Sequence, residues 1–92
     1  MASDGEKLLE AAAGGSVEAF EMLTEGYMKN VYNILLTNCG NSDTASKLTQ
    51  EVFVRVFKNV KSVKKAGLIG FRLYKTAAAV YDDFSISVRK IS

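Results

Sequence analysis

Histidine, proline and tryptophan are absent from this 92-residue sequence, and cysteine occurs once, at Cys39. Without histidine there is no Ser-His-Asp or Cys-His catalytic site and no imidazole metal ligand. One cysteine forms neither an internal disulfide nor a thiolate zinc site. No glycine-rich phosphate loop is present. The chain is therefore expected not to be an enzyme, with no catalytic residue, no metal and no cofactor. No apolar run approaches the about 20 residues that span a bilayer. The start, Met1-Ala2-Ser3-Asp4-Gly5-Glu6-Lys7, has neither the basic opening nor the apolar stretch of a signal peptide. A cytoplasmic protein with no membrane partner is expected. The lack of proline favours helices over strands, because sheet folds place prolines at turns and edges.

Hydrophobic residues make up 48% and charged residues 24%, the balance of a folded chain. Net charge is only +2, but it is divided unevenly. Residues 1–42 hold two lysines against six carboxylates, net −4; residues 43–92 hold ten Lys and Arg against four carboxylates, net +6. Either the second half presents a basic surface to an anionic partner, or its cations merely balance an acidic first half.

Apolar residues recur at three- and four-residue steps, so the chain reads as one all-α domain over 1–92, a compact bundle of three to four helices. A short helix over 5–13 carries Leu8, Leu9 and Ala12 and stops at Gly14-Gly15. Ser16 caps a long helix over about 16–38, in which Phe20, Leu23, Tyr27, Val31, Ile34 and Leu35 share one face. Gly26 interrupts that face and is a candidate point of close helix approach. Tyr27 and Tyr32 are expected at the core or its edge, and Cys39 as an inert, partly buried thiol. Gly40 stops this helix, and Ser42 or Asp43 caps the next.

The helix over about 43–60 is the most informative stretch. Leu48, Val52, Val56 and Val60 follow at i+4, with Phe53 and Phe57 beside them. Thr49, Gln50, Glu51, Val54, Arg55 and Lys58 fall largely on the opposite side. Four lysines then lie between Lys58 and Lys65, some of them explained by the helix dipole alone. The last helix, about 68–85, buries Ile69, Leu73, Ala77, Val80 and Phe84. There Phe71, Tyr74 and Tyr81 interleave with Arg72 and Lys75, a pattern that either fills a core or holds unstacked bases. The tail from Ser85 to Ser92 reads as a frayed end or linker.

Ala19-Phe20-Glu21, Leu48-Thr49-Gln50-Glu51-Val52-Phe53-Val54-Arg55-Val56-Phe57 and Leu73-Tyr74-Lys75 together resemble region 2 of bacterial sigma-70 family sigma factors, closest to the extracytoplasmic-function (ECF) group. The likeness runs from about Leu8 to Phe84, and the run through helix 43–60 is its specific part. It implies a transcription-initiation domain that binds core RNA polymerase and recognises and melts the promoter −10 element. Lys47, Gln50, Glu51, Val54 and Arg55 would meet the clamp helices of the β′ subunit. Lys61, Lys64, Lys65, Arg72, Tyr74, Lys75 and Asp83 would meet the non-template strand, with a flipped base held near the last helix and the loop before it.

Several positions depart from the family pattern. Ala45-Ser46-Lys47 stands where Ala-Glu-Asp is common, Arg72 where tryptophan is common, and Ala79 where asparagine is common. Asp83 matches the family's aspartate, but Ser85-Ile86-Ser87 replaces the arginines that usually follow. These departures support a second reading: a sigma-like interaction module that binds an anti-sigma factor or another regulator without reading DNA. A third is a generic helical bundle whose motif match is accidental. No helix-turn-helix domain for the −35 element follows region 2, so either an excised domain or a naturally short relative is expected.

Overall fold

Local sequence signals set where the helices begin and end. The computed structural model describes residues 4–91, with side chains through Arg89; the outermost residues of the expected 1–92 span, and the Lys90 side chain, lie outside the described set. Five α-helices follow in order: α1 (Asp4–Ala13), α2 (Val17–Thr24), α3 (Met28–Cys39), α4 (Ser42–Lys58) and α5 (Ile69–Ile91). Two 3-10 turns, Val60–Ser62 and Ala66–Leu68, join α4 to α5. No strand occurs among the described residues.

The chain leaves α1 through Gly15 at φ 106°, a conformation that favours glycine. Ser16 then caps α2, its Oγ accepting from the Ala19 N–H at 3.1 Å. At the end of α3, Gly40 takes the left-handed conformation and its N–H donates to the Leu36 carbonyl. The cap of α4 is Asn41, not Ser42 or Asp43: its Oδ1 accepts from the Thr44 N–H at 2.9 Å. Asparagine serves here because its backbone is extended, so the side chain reaches the open amide of the first turn.

The helix expected over 16–38 is two helices. The break falls at Glu25–Tyr27, where the Tyr27 N–H donates to the Thr24 carbonyl only three residues back. Apolar spacing runs unbroken across this point, which conceals the change of direction. Ile34, expected in the buried stripe, is 44% exposed, while Val31 and Leu35 are fully buried. Gly26 makes no close approach, as a β-carbon there would meet nothing. The tight approach is at Gly70, against the Tyr27 ring.

α4 packs on α3 along one flank and on α5 along the other. Leu48, Val52, Val56 and Val60 form the expected i+4 ridge, all buried. Opposite them lie Val31 and Leu35 from α3 and Ile69, Leu73, Ala77 and Val80 from α5. Each such aliphatic side chain contributes about 1.5–3 kcal/mol through burial. Truncating the fully buried Leu73 to alanine is the single change best placed to break this core, at about 2–5 kcal/mol. Phe20 of α2 closes one end, with its ring centroid 5.1 Å from Phe57 and 6.5 Å from Phe53.

Thr49 is buried, contrary to its expected place on the polar face. Its hydroxyl donates to the Ala45 carbonyl at 2.7 Å and so carries no unmet polar group into the core. Thr24 does the same with the Phe20 carbonyl at 2.8 Å. α5 runs on to Ile91, past the expected stop near 85. No helix among the described residues is long and apolar enough to cross a membrane.

Candidate functional site

The faces left over from the core form two surfaces on opposite flanks of α4. The first is a groove between α4 and the α2–α3 pair. Two adjoining hollows of about 800 and 870 Å³ share Glu25, Met28, Phe53 and Val54 in their walls. Met22, Met28, Val17 and Val54 are all at least half exposed there. Glu18, Glu21 and Glu25 border the same groove, together with Lys29 and Lys58. An apolar floor with a charged edge fits a partner helix better than a small polar ligand.

Of the residues expected to meet a protein partner, Gln50 and Val54 line this groove. Lys47 is exposed on α4. Glu51 and Arg55 turn the other way. The Arg55 guanidinium donates to Glu51 Oε1 at 2.8 Å, one helical turn back, and reaches Asp83 of α5 at 3.3 Å. The hydrogen bond to Glu51 raises the Arg55 pKa above its usual value; partial desolvation opposes this, and the Glu51 and Asp83 charges add to it.

The second surface lies between α4, the 60–68 segment and α5. A hollow of about 380 Å³ is lined by Arg55, Val56, Asn59, Ser62, Arg72, Lys75, Thr76 and Ala79. A smaller one of about 220 Å³ is lined by Ser62, Val63, Lys64, Leu68, Phe71, Arg72 and Lys75. Ser62, Arg72 and Lys75 belong to both, so the two form one cleft. The segment that walls it is anchored from below by buried Val60 and Val63. It is tied from the side by Glu6 of α1, whose carboxylate accepts the Ala66 N–H at 2.9 Å.

The expected nucleic-acid residues divide accordingly. Lys64, Arg72 and Lys75 come together around the cleft. Lys61 and Lys65 are exposed on the same segment but do not border it. Tyr74 borders neither hollow; it is 37% exposed and its ring packs edge-on against Tyr27, centroids 6.2 Å apart. Asp83 is held by Arg55. Phe71, whose spacing among Arg72 and Lys75 left open a core or a base-holding role, is 67% exposed and borders the cleft. Arg72 and Lys75 follow it at one and four residues and border the same cleft.

No group of three or more Cys, Asp or Glu among the described residues is placed to hold a metal ion. Cys39 is partly buried and its thiol meets the Asn41 carbonyl at 3.4 Å. Comparison with family models, curated proteins and solved structures finds no match to this chain.

Proposed function

We propose that this domain acts as a sigma-factor region 2-like module in transcription initiation. In this reading the groove between α4 and α2–α3 receives the β′ clamp helices of core RNA polymerase. The cleft between the 60–68 segment and α5 receives the non-template strand of the −10 element. The observation that carries the reading is the division of α4 between two unlike surfaces. One flank is largely apolar with a rim of Glu18, Glu21, Glu25, Lys29 and Lys58; the other carries Arg55 toward a cleft bordered by Lys64, Arg72 and Lys75. A protein partner and a polyanion can then be held at once without competing. The motif through Leu48–Phe57 supplies the link to sigma factors.

The test uses the whole chain with two ligands. A β′ clamp-helix fragment should bind, and Val54→Glu should weaken it at least about tenfold, because a buried unpaired charge at a contact centre costs several kcal/mol. A labelled single-stranded −10 oligonucleotide should bind equally well to both proteins. No fragment binding at high micromolar concentration would sink the polymerase half.

One observation favours the sigma-like module that binds a regulator without reading DNA. Ala79 borders the larger hollow and offers no hydrogen bond to a base edge. On that reading an anti-sigma factor or another regulator occupies the groove, and oligonucleotide binding shows no preference for −10 sequence.

A further inference from the structure

We propose that Glu6 is a positioning residue for the basic segment: its carboxylate, carried by α1, caps the entry turn of α5, sets where Lys64 and Lys65 stand, and so strengthens the binding of a polyanion although it is itself an anion. This rests on the nucleic-acid half of the function proposed above. Glu6 lies before the stretch that carries the sigma-like motifs, so the motifs give it no role.

The turn Ala66–Leu68 runs directly into α5, so helical backbone begins at Ala66. The first amides of a helix have no intrahelical partner and need an acceptor from elsewhere. The residue at the cap position is Lys65, extended at φ −143° and ψ 145°, and it makes no side-chain cap bond. Its ammonium group has donors only. Glu6 supplies the missing acceptor from 60 residues away, Oε1 taking the Ala66 N–H at 2.9 Å. Both residues are half-buried, so the bond is shielded in part from water. A carboxylate at this end also complements the dipole of a helix that runs to Ile91. α1 is a firm support for it, because Leu9 and Ala12 are buried in the core.

The segment is thereby held on two sides. Toward α5, Arg72 Nη1 donates to Ser62 Oγ at 2.6 Å, and the Ser62 hydroxyl donates to the Asn59 carbonyl at 2.7 Å. Toward α1, Glu6 holds Ala66. Lys64 and Lys65 stand between these two ties, both exposed. A held backbone reduces the freedom that the two lysines lose when a strand arrives. Two effects of Glu6 therefore oppose each other. Its charge weakens anion binding, an effect that salt at about 0.1 M screens beyond about 10 Å. Its hydrogen bond strengthens binding by keeping the segment in place. Glutamine at this position keeps an oxygen for the Ala66 amide and drops the charge, whereas alanine drops both.

The experiment compares the wild type, Glu6→Gln and Glu6→Ala by NMR-detected amide hydrogen exchange and by fluorescence anisotropy with a short labelled single strand. Exchange of the Ala66 amide should quicken about fivefold in Glu6→Ala, the measure of one lost cap, and much less in Glu6→Gln. The amide of the core residue Val52 should exchange alike in all three, which a general loosening of the fold would not give. Glu6→Ala should bind the strand about threefold more weakly than wild type, whereas Glu6→Gln should bind at least as tightly. A purely electrostatic role would make both variants bind more tightly. If they do, or if Ala66 exchange is unchanged in Glu6→Ala, Glu6 is not a positioning residue and the nucleic-acid reading stands. If the wild type binds no single strand, that reading fails and the role of Glu6 in binding fails with it, even where Ala66 exchange responds.

Discussion

Gly70 lies against the ring of Tyr27 so closely that a β-carbon on it would stand 2.6 Å from Cε1 and 2.9 Å from Cζ. This contact fixes the start of α5 against the break between α2 and α3. Gly70→Ala sets two effects against each other. Alanine improves a helix interior by about 1 kcal/mol over glycine, and less at Gly70, the second residue of α5, whereas overpacking costs typically about 1–3 kcal/mol. The ring is also held by Tyr74, so it cannot simply swing aside. The variant is expected to lose about 1 kcal/mol in urea denaturation, and Tyr27→Leu in the same chain should restore it. A more stable single variant would show that the ring yields freely.

Asn41→Ala removes the side chain that accepts the Thr44 N–H at the start of α4. The expected cost is about 1 kcal/mol. Asn41→Asp should retain the cap and gain slightly from the helix dipole. Chemical denaturation of the three proteins checks this, and equal midpoints for alanine and asparagine would show that α4 is held by packing alone.

Asp83→Asn separates two roles for one carboxylate. The motif makes Asp83 a nucleic-acid contact, whereas the structure pairs it with Arg55 at 3.3 Å. Asp83 is exposed and Arg55 partly so, and stability should scarcely change. Affinity for single-stranded DNA should rise, because Arg55, which lines the cleft, loses one of its two negative partners. Weaker binding would mean that Asp83 touches the strand directly.

Salt dependence reports how many cations meet phosphate. With Lys64, Arg72 and Lys75 as the contacts, log affinity against log salt should fall with a slope of about −2 for a single strand. Lys75→Gln should reduce that slope by about 0.7, and Lys61→Gln, outside the cleft, should leave it nearly unchanged. Equal effects from both would mean that the strand crosses the whole basic segment.

The helical class and the buried ridge of α4 were legible because periodicity and burial are the same fact seen twice: Leu48, Val52, Val56 and Val60 point one way in sequence and in space. Ser16 and Gly40 were legible for a local reason, since capping needs only neighbouring residues. The α2–α3 break was hidden because apolar residues continue at helical spacing across Glu25–Tyr27, while Tyr27 at the turn packs on Gly70 and Tyr74 of a distant helix. The site was partly legible. Lys64, Arg72 and Lys75 follow from charge, but the packing of Tyr74 on Tyr27 and the exposure of Phe71 depend on which side of α5 faces Tyr27. The Arg55–Asp83 pair joins residues far apart in sequence, and neither predicts the other.

The bond from the Ala66 amide to Glu6 spans 60 residues. Closing so long a loop costs chain entropy that must be met before the contact forms. The α3–α4 hairpin, with far shorter connections, bears no such delay. The wall of the cleft is thus held from both ends of the chain, by Glu6 of the first helix as well as by its own buried Val60 and Val63. Loss of the Glu6 carboxylate would be felt 60 residues away, at the segment that borders Lys64 and Arg72.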